Sequence, residues 1–404
     1  MFIHNCEGVA VTVENTTIYM DNSATTPVRK EVAEEMIPYL MENFGNPSSI
    51  YDLGKTSKNA VEKARKRVAD AIGAEENEIY FTSGGTESDN WAIKGIAFAN
   101  GNKGKHIITS SIEHHAVLHT CEWLEGQGFE VTYFPVDKYG VVSPEDMKKA
   151  IRSDTILISI MLANNEIGTI QPVEEIGKIA RENSVYFHTD AVQAIGHILI
   201  DVQKMNIDLL SLSGHKFQGP KGCGALYIRR GTKIETLLHG GAQERKRRAG
   251  TENVPAIVGL GKAIELATGE IEESNETLLE MRERLIKGLL KIPKTHLNGH
   301  PTQRLANNVN VTFEYIEGES LLLMLNAKGI FASAGSACNS SSLETSHVLT
   351  ACGVTHEIIR GSLRLSLGMM NTPKDVDRVL EILPEIVQKL RNMSPLTPQE
   401  YRTI

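Results

Sequence analysis

The chain has 404 residues, 41% of them hydrophobic, and carries 42 Lys plus Arg against 50 Asp plus Glu for a formal net charge of −8. At roughly 150 residues per domain this length predicts two to three domains with a large buried core, which excludes a small fold stapled by disulfides or metal. The acidic balance leaves no basic face for nucleic acid, and the longest apolar stretch, Ile156 to Ala163, falls far short of the ~20 residues of a membrane span. A small-molecule partner is therefore expected.

Along the chain the hydrophobic period switches repeatedly between helix and strand. Thr26 and Pro27 read as an N-cap and first helical position ahead of Val28, Val32, Met36 and Leu40. Ala60, Ala64, Val68 and Ile72 repeat that spacing and stop at Gly73, before the strand-like run Ile79 to Thr82. Further strands are predicted at 106–109, 131–136, 155–161, 185–188, 208–211 and 224–228. Helices are predicted between most of them, near 115–127, at 143–151 with a Ser143-x-x-Asp146 capping box, and at 173–183. Such alternation implies a largely parallel sheet covered on both faces. Beyond residue 268 the pattern changes to a long charged helix (275–291), a strand (308–315), a helix and a strand. A small-residue loop (332–342), a strand (362–366) and a helix capped by Thr372-Pro373 complete it. The expected fold is α/β, with a large mainly parallel-sheet domain over 24–268 and a smaller α+β domain from 1–23 and 269–404.

In parallel α/β sheets ligands sit beyond the carboxyl ends of the strands, so the residues just after each strand carry the most information. After Phe81-Thr82 comes Ser83-Gly84-Gly85-Thr86-Glu87-Ser88 and a helix, a pattern that admits close backbone approach and attracts phosphate, or is only a turn. Two further strand ends carry Asp190, in His188-Thr189-Asp190-Ala191-Val192-Gln193, and Lys216, in Ser213-Gly214-His215-Lys216. An acid and an amine so placed suit pyridoxal phosphate, which needs a Lys for a Schiff base and a carboxylate to keep its pyridine nitrogen protonated. A fourth strand end carries Glu113-His114-His115, with a ring able to stack and move protons. His115 and His119 lie at i, i+4, but no third ligand has diagnostic spacing, so a structural role is expected and metal is not.

The segments YMDNSATTPV (19–28), FTSGGTESDNWAIKG (81–95), ANNEIGTIQP (163–172), FHTDAVQAIG (187–196), SLSGHKFQGPKGCGALYIRR (211–230), RRAGTENVP (247–255) and SAGSACNSSSLETSHVL (333–349) carry a resemblance. From about Tyr19 to Leu390 the chain resembles the cysteine desulfurases of the NifS/IscS type, within the fold-type I class V aminotransferases. The resemblance implies that Lys216 holds the cofactor and shuttles the Cα proton, Asp190 pairs with the pyridinium, Gln193 bonds the ring hydroxyl, and His114 stacks on the ring. It implies a phosphate site of Gly85, Thr86, Ser213 and His215, completed by Thr251 from the neighbouring subunit of a homodimer. Arg364, with Asn165 beside it, is expected to grip the substrate carboxylate. Gly85 stands where Ala is common in the family, and the C-terminal tail differs from the one with which some relatives grip an iron–sulfur scaffold protein.

Cys338 lies within a run of small residues and is the expected nucleophile: it would take sulfur from L-cysteine as a persulfide, release L-alanine, and pass the sulfur to an acceptor such as an iron–sulfur scaffold. A selenocysteine-cleaving enzyme, a generic aminotransferase and a degenerate binding protein are rival readings, and Cys338 together with Lys216, Asp190 and His114 counts against them. The charged run Glu244 to Arg248 is read as either a solvated turn or a dimer contact leading to Thr251. Five widely spaced cysteines without a C-x-x-C pair, and an N-terminus without signal or transit features, point to free thiols and a cytoplasmic location.

Overall fold

The switching period builds a seven-stranded sheet whose spatial order is Ile79–Thr82, Gly224–Ile228, Leu209–Ser213, Tyr186–Asp190, Thr155–Ser159, His106–Ser110 and Glu130–Phe134. The computed structural model describes residues 17–334 and 345–402. Gly224–Ile228 runs antiparallel to both of its neighbours, and every other pairing in the sheet is parallel. Parallel pairing requires crossovers, and these place helices on both faces. The strands accordingly bury alternate residues in two different cores. Ile108, Ile158, Leu210 and Tyr227 meet the helices Asp52–Ile72 and Val254–Gly269, while Ile107, Leu157, Leu209 and Leu226 meet Gly85–Asn100 and His115–Glu125.

A three-stranded antiparallel sheet, in the order Ser362–Ser366, Asn308–Phe313 and Thr295–Leu297, has its own hydrophobic core. The helices Ile271–Leu289, Gly318–Asn326 and Pro373–Met393 close over it, the last starting at the capping box of Thr372 and Asp375. The chain's first described strand, Ile18–Tyr19, pairs with Ile330–Phe331, so Ile18 and Met20 join this core rather than the larger one. No helix among the described residues is long and apolar enough to cross a membrane.

Three elements differ from expectation for identifiable reasons. The first helix begins at Lys30, not Pro27, because Thr26 is engaged elsewhere. Its hydroxyl donates to the His215 carbonyl (2.9 Å) and accepts from the Gln218 N–H (2.8 Å), pinning the chain to the Lys216 turn. The Ser143 cap is only half of a capping box, with its hydroxyl accepting from Asp146 N–H at 3.3 Å. Helix Val254–Gly269 lacks an amphipathic stripe because it is packed on most sides, with only Glu265 and Gly269 exposed. A Cβ at Gly261 would come within 2.7 Å of Ala64, and one at Gly259 within 2.5 Å of the Met36 sulfur.

Candidate active site

The carboxyl ends of the central strands open into a cavity of about 410 Å³, within the range of small-molecule and cofactor sites. Strand Tyr186–Asp190 ends in Asp190, whose carboxylate is 6% exposed and accepts the Val192 N–H at 2.9 Å. The neighbouring strand Leu209–Ser213 ends in Ser213, and one further turn presents Lys216. The Lys216 amine donates to the carbonyls of Ser23 (2.5 Å) and Ala24 (2.9 Å). Gln193 donates to the same Ser23 carbonyl at 2.9 Å. His215 sits behind this turn, its Nδ1 3.1 Å from the Thr25 hydroxyl.

The wall toward strand Ile79–Thr82 is the first turn of helix Gly85–Asn100. Gly84 has φ +150°, and a Cβ on Gly224 would lie 2.7 Å from its Cα, so two backbones meet where no side chain fits. Ser88 is the first residue of the helix whose N–H bonds back, to Gly84 O at 3.1 Å. The N–H groups before it, at Gly85 and Thr86 on the cavity wall, are therefore helix-terminal donors suited to an anion.

Opposite stands Arg364 from strand Ser362–Ser366, only 2% exposed. Its Nη2 bonds Asp21 at 2.8 Å and its Nη1 the Asn165 carbonyl at 3.0 Å, while Nε has no hydrogen-bond partner among the described residues. A buried guanidinium with donor capacity left, facing a cavity, suits a carboxylate.

Burial dominates the titrations here. It raises Asp190 to about 6, against the lowering pull of the Val192 N–H and of Lys216. Burial lowers His114 to about 4, helped by Lys216 and the neighbouring histidines. His114 caps helix His115–Glu125 by accepting the Ala116 N–H at Nδ1 (3.1 Å), so its neutral ring carries the hydrogen on Nε2 and is set to donate. His115 stacks near His119 and His347, with ring centroids 4.8 Å apart in each pair. Among the described residues no group of three or more His, Cys, Asp or Glu is arranged to hold a metal ion.

The cavity thus brings together Gly85, Thr86, His114, Asn165, Asp190, Gln193, Ser213, His215, Lys216 and Arg364. Thr251 is exposed and lies outside it, and Cys338 falls outside the described residues. In the run before Thr251, Arg245 and Lys246 are exposed, as a solvated turn requires, whereas Glu244 is buried against Arg65 with both Nη–Oε distances at 2.8 Å. Among the wall residues that sequence reasoning missed are the ionisable Asp89, Glu166 and His347. Asp89 was within reach, since it lies one turn after Gly85 and Thr86 on the same helix face.

Residues 18–379 match the family model described as aminotransferase class-V. A protein of Methanosarcina thermophila named cysteine desulfurase IscS is 82% identical over 404 residues, covering 100% of each chain. A solved structure of a NifS-like protein superposes with a TM-score of 0.88 at 42% identity, covering 93% of this chain and 100% of that one. Another, SspA in complex with cysteine, superposes with a TM-score of 0.79 at 42% identity, covering 87% of this chain and 99% of that one. On its sequence and its fold alike, the chain belongs to the aminotransferase class-V family.

Proposed function

We propose that the chain is an L-cysteine desulfurase that binds pyridoxal 5′-phosphate, takes sulfur from L-cysteine and leaves L-alanine with a persulfide on Cys338. The observation that carries this reading is the Lys216 amine and the buried Asp190 carboxylate at the ends of neighbouring strands, with a buried Arg364 facing them across one cavity. The relatives named cysteine desulfurase and the cysteine complex of a structural neighbour support the substrate.

Bound there, pyridoxal phosphate supplies an electron sink that makes the substrate Cα proton labile and the Cβ–Sγ bond breakable. Lys216 tethers the cofactor and carries the Cα proton on Nζ. Asp190 would hold the pyridine nitrogen protonated, Gln193 would serve the ring hydroxyl, and His114 would lie beside the cofactor with its Nε2 hydrogen to donate. Gly85, Thr86, Ser213 and His215 hold the phosphate, and Thr251 of a second copy completes that site in a homodimer. Arg364 and Asn165 bind the substrate carboxylate.

The Cys338 thiolate attacks the substrate sulfur: an S–S bond forms, the C–S bond breaks, and the carbon fragment takes a proton to leave as alanine. Cysteine and a thiol thereby become alanine and a persulfide, with no external oxidant. Of the five cysteines, Cys121, Cys223 and Cys352 are buried. Burial pushes all three thiols up, the last two to about 12, so none is a thiolate at neutral pH. The residues 24–268 are taken as the cofactor domain and the remainder as the smaller one carrying Cys338. We place the protein in the cytoplasm, where an iron–sulfur scaffold protein is the acceptor for its sulfur.

The purified protein, loaded with pyridoxal phosphate and given L-cysteine with a dithiol reductant, is expected to release L-alanine and sulfide in equal amounts. Turnover that yields pyruvate or an oxo acid in place of alanine overturns the reading.

A further inference from the structure

Glu166 is 3% exposed and follows Asn165 on the cavity wall, yet the reaction as written gives it no task. Its backbone is held from both sides. The N–H donates to Asn164 Oδ1 (2.9 Å), and the carbonyl accepts from the amides of Asn308 (3.2 Å) and Asn310 (3.0 Å). Its carboxylate accepts a 2.5 Å hydrogen bond from the Ser346 hydroxyl, which is itself 4% exposed. Ser346 is the N-cap of helix His347–Ala351 and takes the Leu349 N–H at 3.1 Å. Ser346 is therefore a fixed point in the chain, and Glu166 fixes it.

The position of Ser346 matters because Cys338 lies eight residues before it and five after Ser333. Ser333 is held by a backbone pair with Arg364, Ser333 N to Arg364 O at 3.2 Å and Arg364 N to Ser333 O at 2.6 Å. Both ends of the stretch that includes Cys338 are thus anchored on the neighbours Arg364 and Glu166. We propose that Glu166 is a positioning residue that joins the substrate-carboxylate anchor to the foot of the Cys338 segment, and that it takes up a proton when an amino-acid carboxylate binds Arg364. The inference rests on the desulfurase reading above.

The electrostatics follow from the same geometry. Glu166 shares the field of Arg364, whose nearer acid is Asp21 at 2.8 Å, and the cavity also holds His347. Cys352, on the helix that Ser346 caps, is a neutral thiol because burial pushes it up to about 12. Burial lifts the Glu166 carboxyl to about 7 against the lowering effects of Ser346 and Arg364. A substrate carboxylate arriving at Arg364 adds a negative charge and weakens that cation's hold, so Glu166 protonates further. The link to Ser346 survives protonation, because a carboxylic acid can donate to the hydroxyl that previously donated to it.

The test uses the cofactor-loaded protein and the variants Glu166→Ala and Glu166→Gln. Persulfide formation on Cys338 is followed by mass spectrometry in a single turnover, and KM for L-cysteine in steady state. Proton uptake on adding L-alanine is measured by calorimetry in two buffers of different ionisation enthalpy. Glu166→Ala is expected to slow persulfide formation about tenfold with KM changed less than about threefold, and Glu166→Gln to restore most of the rate. Wild type is expected to take up roughly half a proton per site more than Glu166→Gln at about pH 7.5. A wild-type rate in Glu166→Ala, or equal proton uptake by wild type and Glu166→Gln, overturns the inference. The glutamine variant keeps the hydrogen bond, so its proton count decides the matter even if the alanine variant does not fold. If wild type forms no persulfide on Cys338, the desulfurase reading falls and this inference with it.

Discussion

Replacing Glu244 with alanine removes the partner of a buried cation. Arg65 Nη1 and Nη2 each lie 2.8 Å from a different oxygen of Glu244, and both side chains are 3% exposed. The same carboxylate accepts the Phe81 N–H at 2.9 Å, and Arg65 also donates to Ile79 O at 2.8 Å. The pair therefore clamps the loop that leads to Thr251 onto the strand that leads to Gly84-Gly85. Breaking a buried pair from one side leaves an uncompensated charge and costs about 3–5 kcal/mol. Glu62, 3.2 Å from Arg65 Nε and 47% exposed, remains as a partial substitute and moves the expectation to the low end. The backbone adds to the effect, since Glu244 and Arg245 sit at φ 44° and 56°, where side chains are strained unless something holds them. For a protein of this size the loss corresponds to a fall in Tm of roughly 3–6 °C, read by circular dichroism. Glu244→Gln keeps one oxygen for Arg65 Nη1 and the Phe81 N–H but sets an NH2 donor against Nη2 and leaves the cation uncompensated, so it should cost nearly as much, about 2–4 kcal/mol. A double-mutant cycle with Arg65→Met should show coupling above about 1 kcal/mol. A Glu244→Ala protein within about 1 kcal/mol of wild type, or an additive cycle, refutes the reasoning.

Three further outcomes are expected. Lys216→Ala should fold but lose cofactor that borohydride can fix to the protein, and retention of such cofactor with normal turnover would remove Lys216 from its role. A Cβ at Gly85 would meet Val192 Cγ2 at 2.8 Å, so Gly85→Ala should cost about 1–3 kcal/mol here and be relieved by Val192→Ala; unfolding midpoints that show no relief contradict the packing argument. His188 is fully buried between Ser159 (2.8 Å) and Ser211 (3.0 Å), and burial lowers it to about 3. Between about pH 6.5 and 3 the unfolded chain binds a proton that the native ring refuses, so stability falls with pH by up to about 1.4 kcal/mol per unit. Urea titrations should therefore show wild type losing ground to His188→Gln as the pH drops through this window, and a pH-independent difference would rule the neutral ring out.

Much of the site was legible because strand ends can be read locally. Asp190, Lys216 and His114 each follow a short β-like run directly, and Gly84-Gly85 precedes a helix, so the topology alone directs them to one edge. Arg364 had no such signal, since a lone Arg in a strand reads as any charged residue, and it entered only through the family resemblance. Glu244 and Glu166 were hidden for a different reason: their partners, Arg65 and Ser346, are 179 and 180 residues away. A run of charges looks solvated until the fold shows which one turns inward. Helix Val254–Gly269 escaped the periodicity because burial on most sides leaves only Lys262 and Glu265 of the polar stripe that marks a helix. Thr26 misled in the opposite direction, since the hydroxyl that suits an N-cap is spent on the Lys216 turn.

The most direct measurement is mass spectrometry of the cofactor-loaded protein after brief exposure to L-cysteine without reductant. The peptide containing Cys338 should be heavier by one sulfur atom, and Cys338→Ser, with Lys216, Asp190 and Arg364 intact, should bind cysteine yet release almost no alanine. Added sulfur on Cys121, Cys223 or Cys352 instead, or normal turnover by the serine variant, would contradict the mechanism.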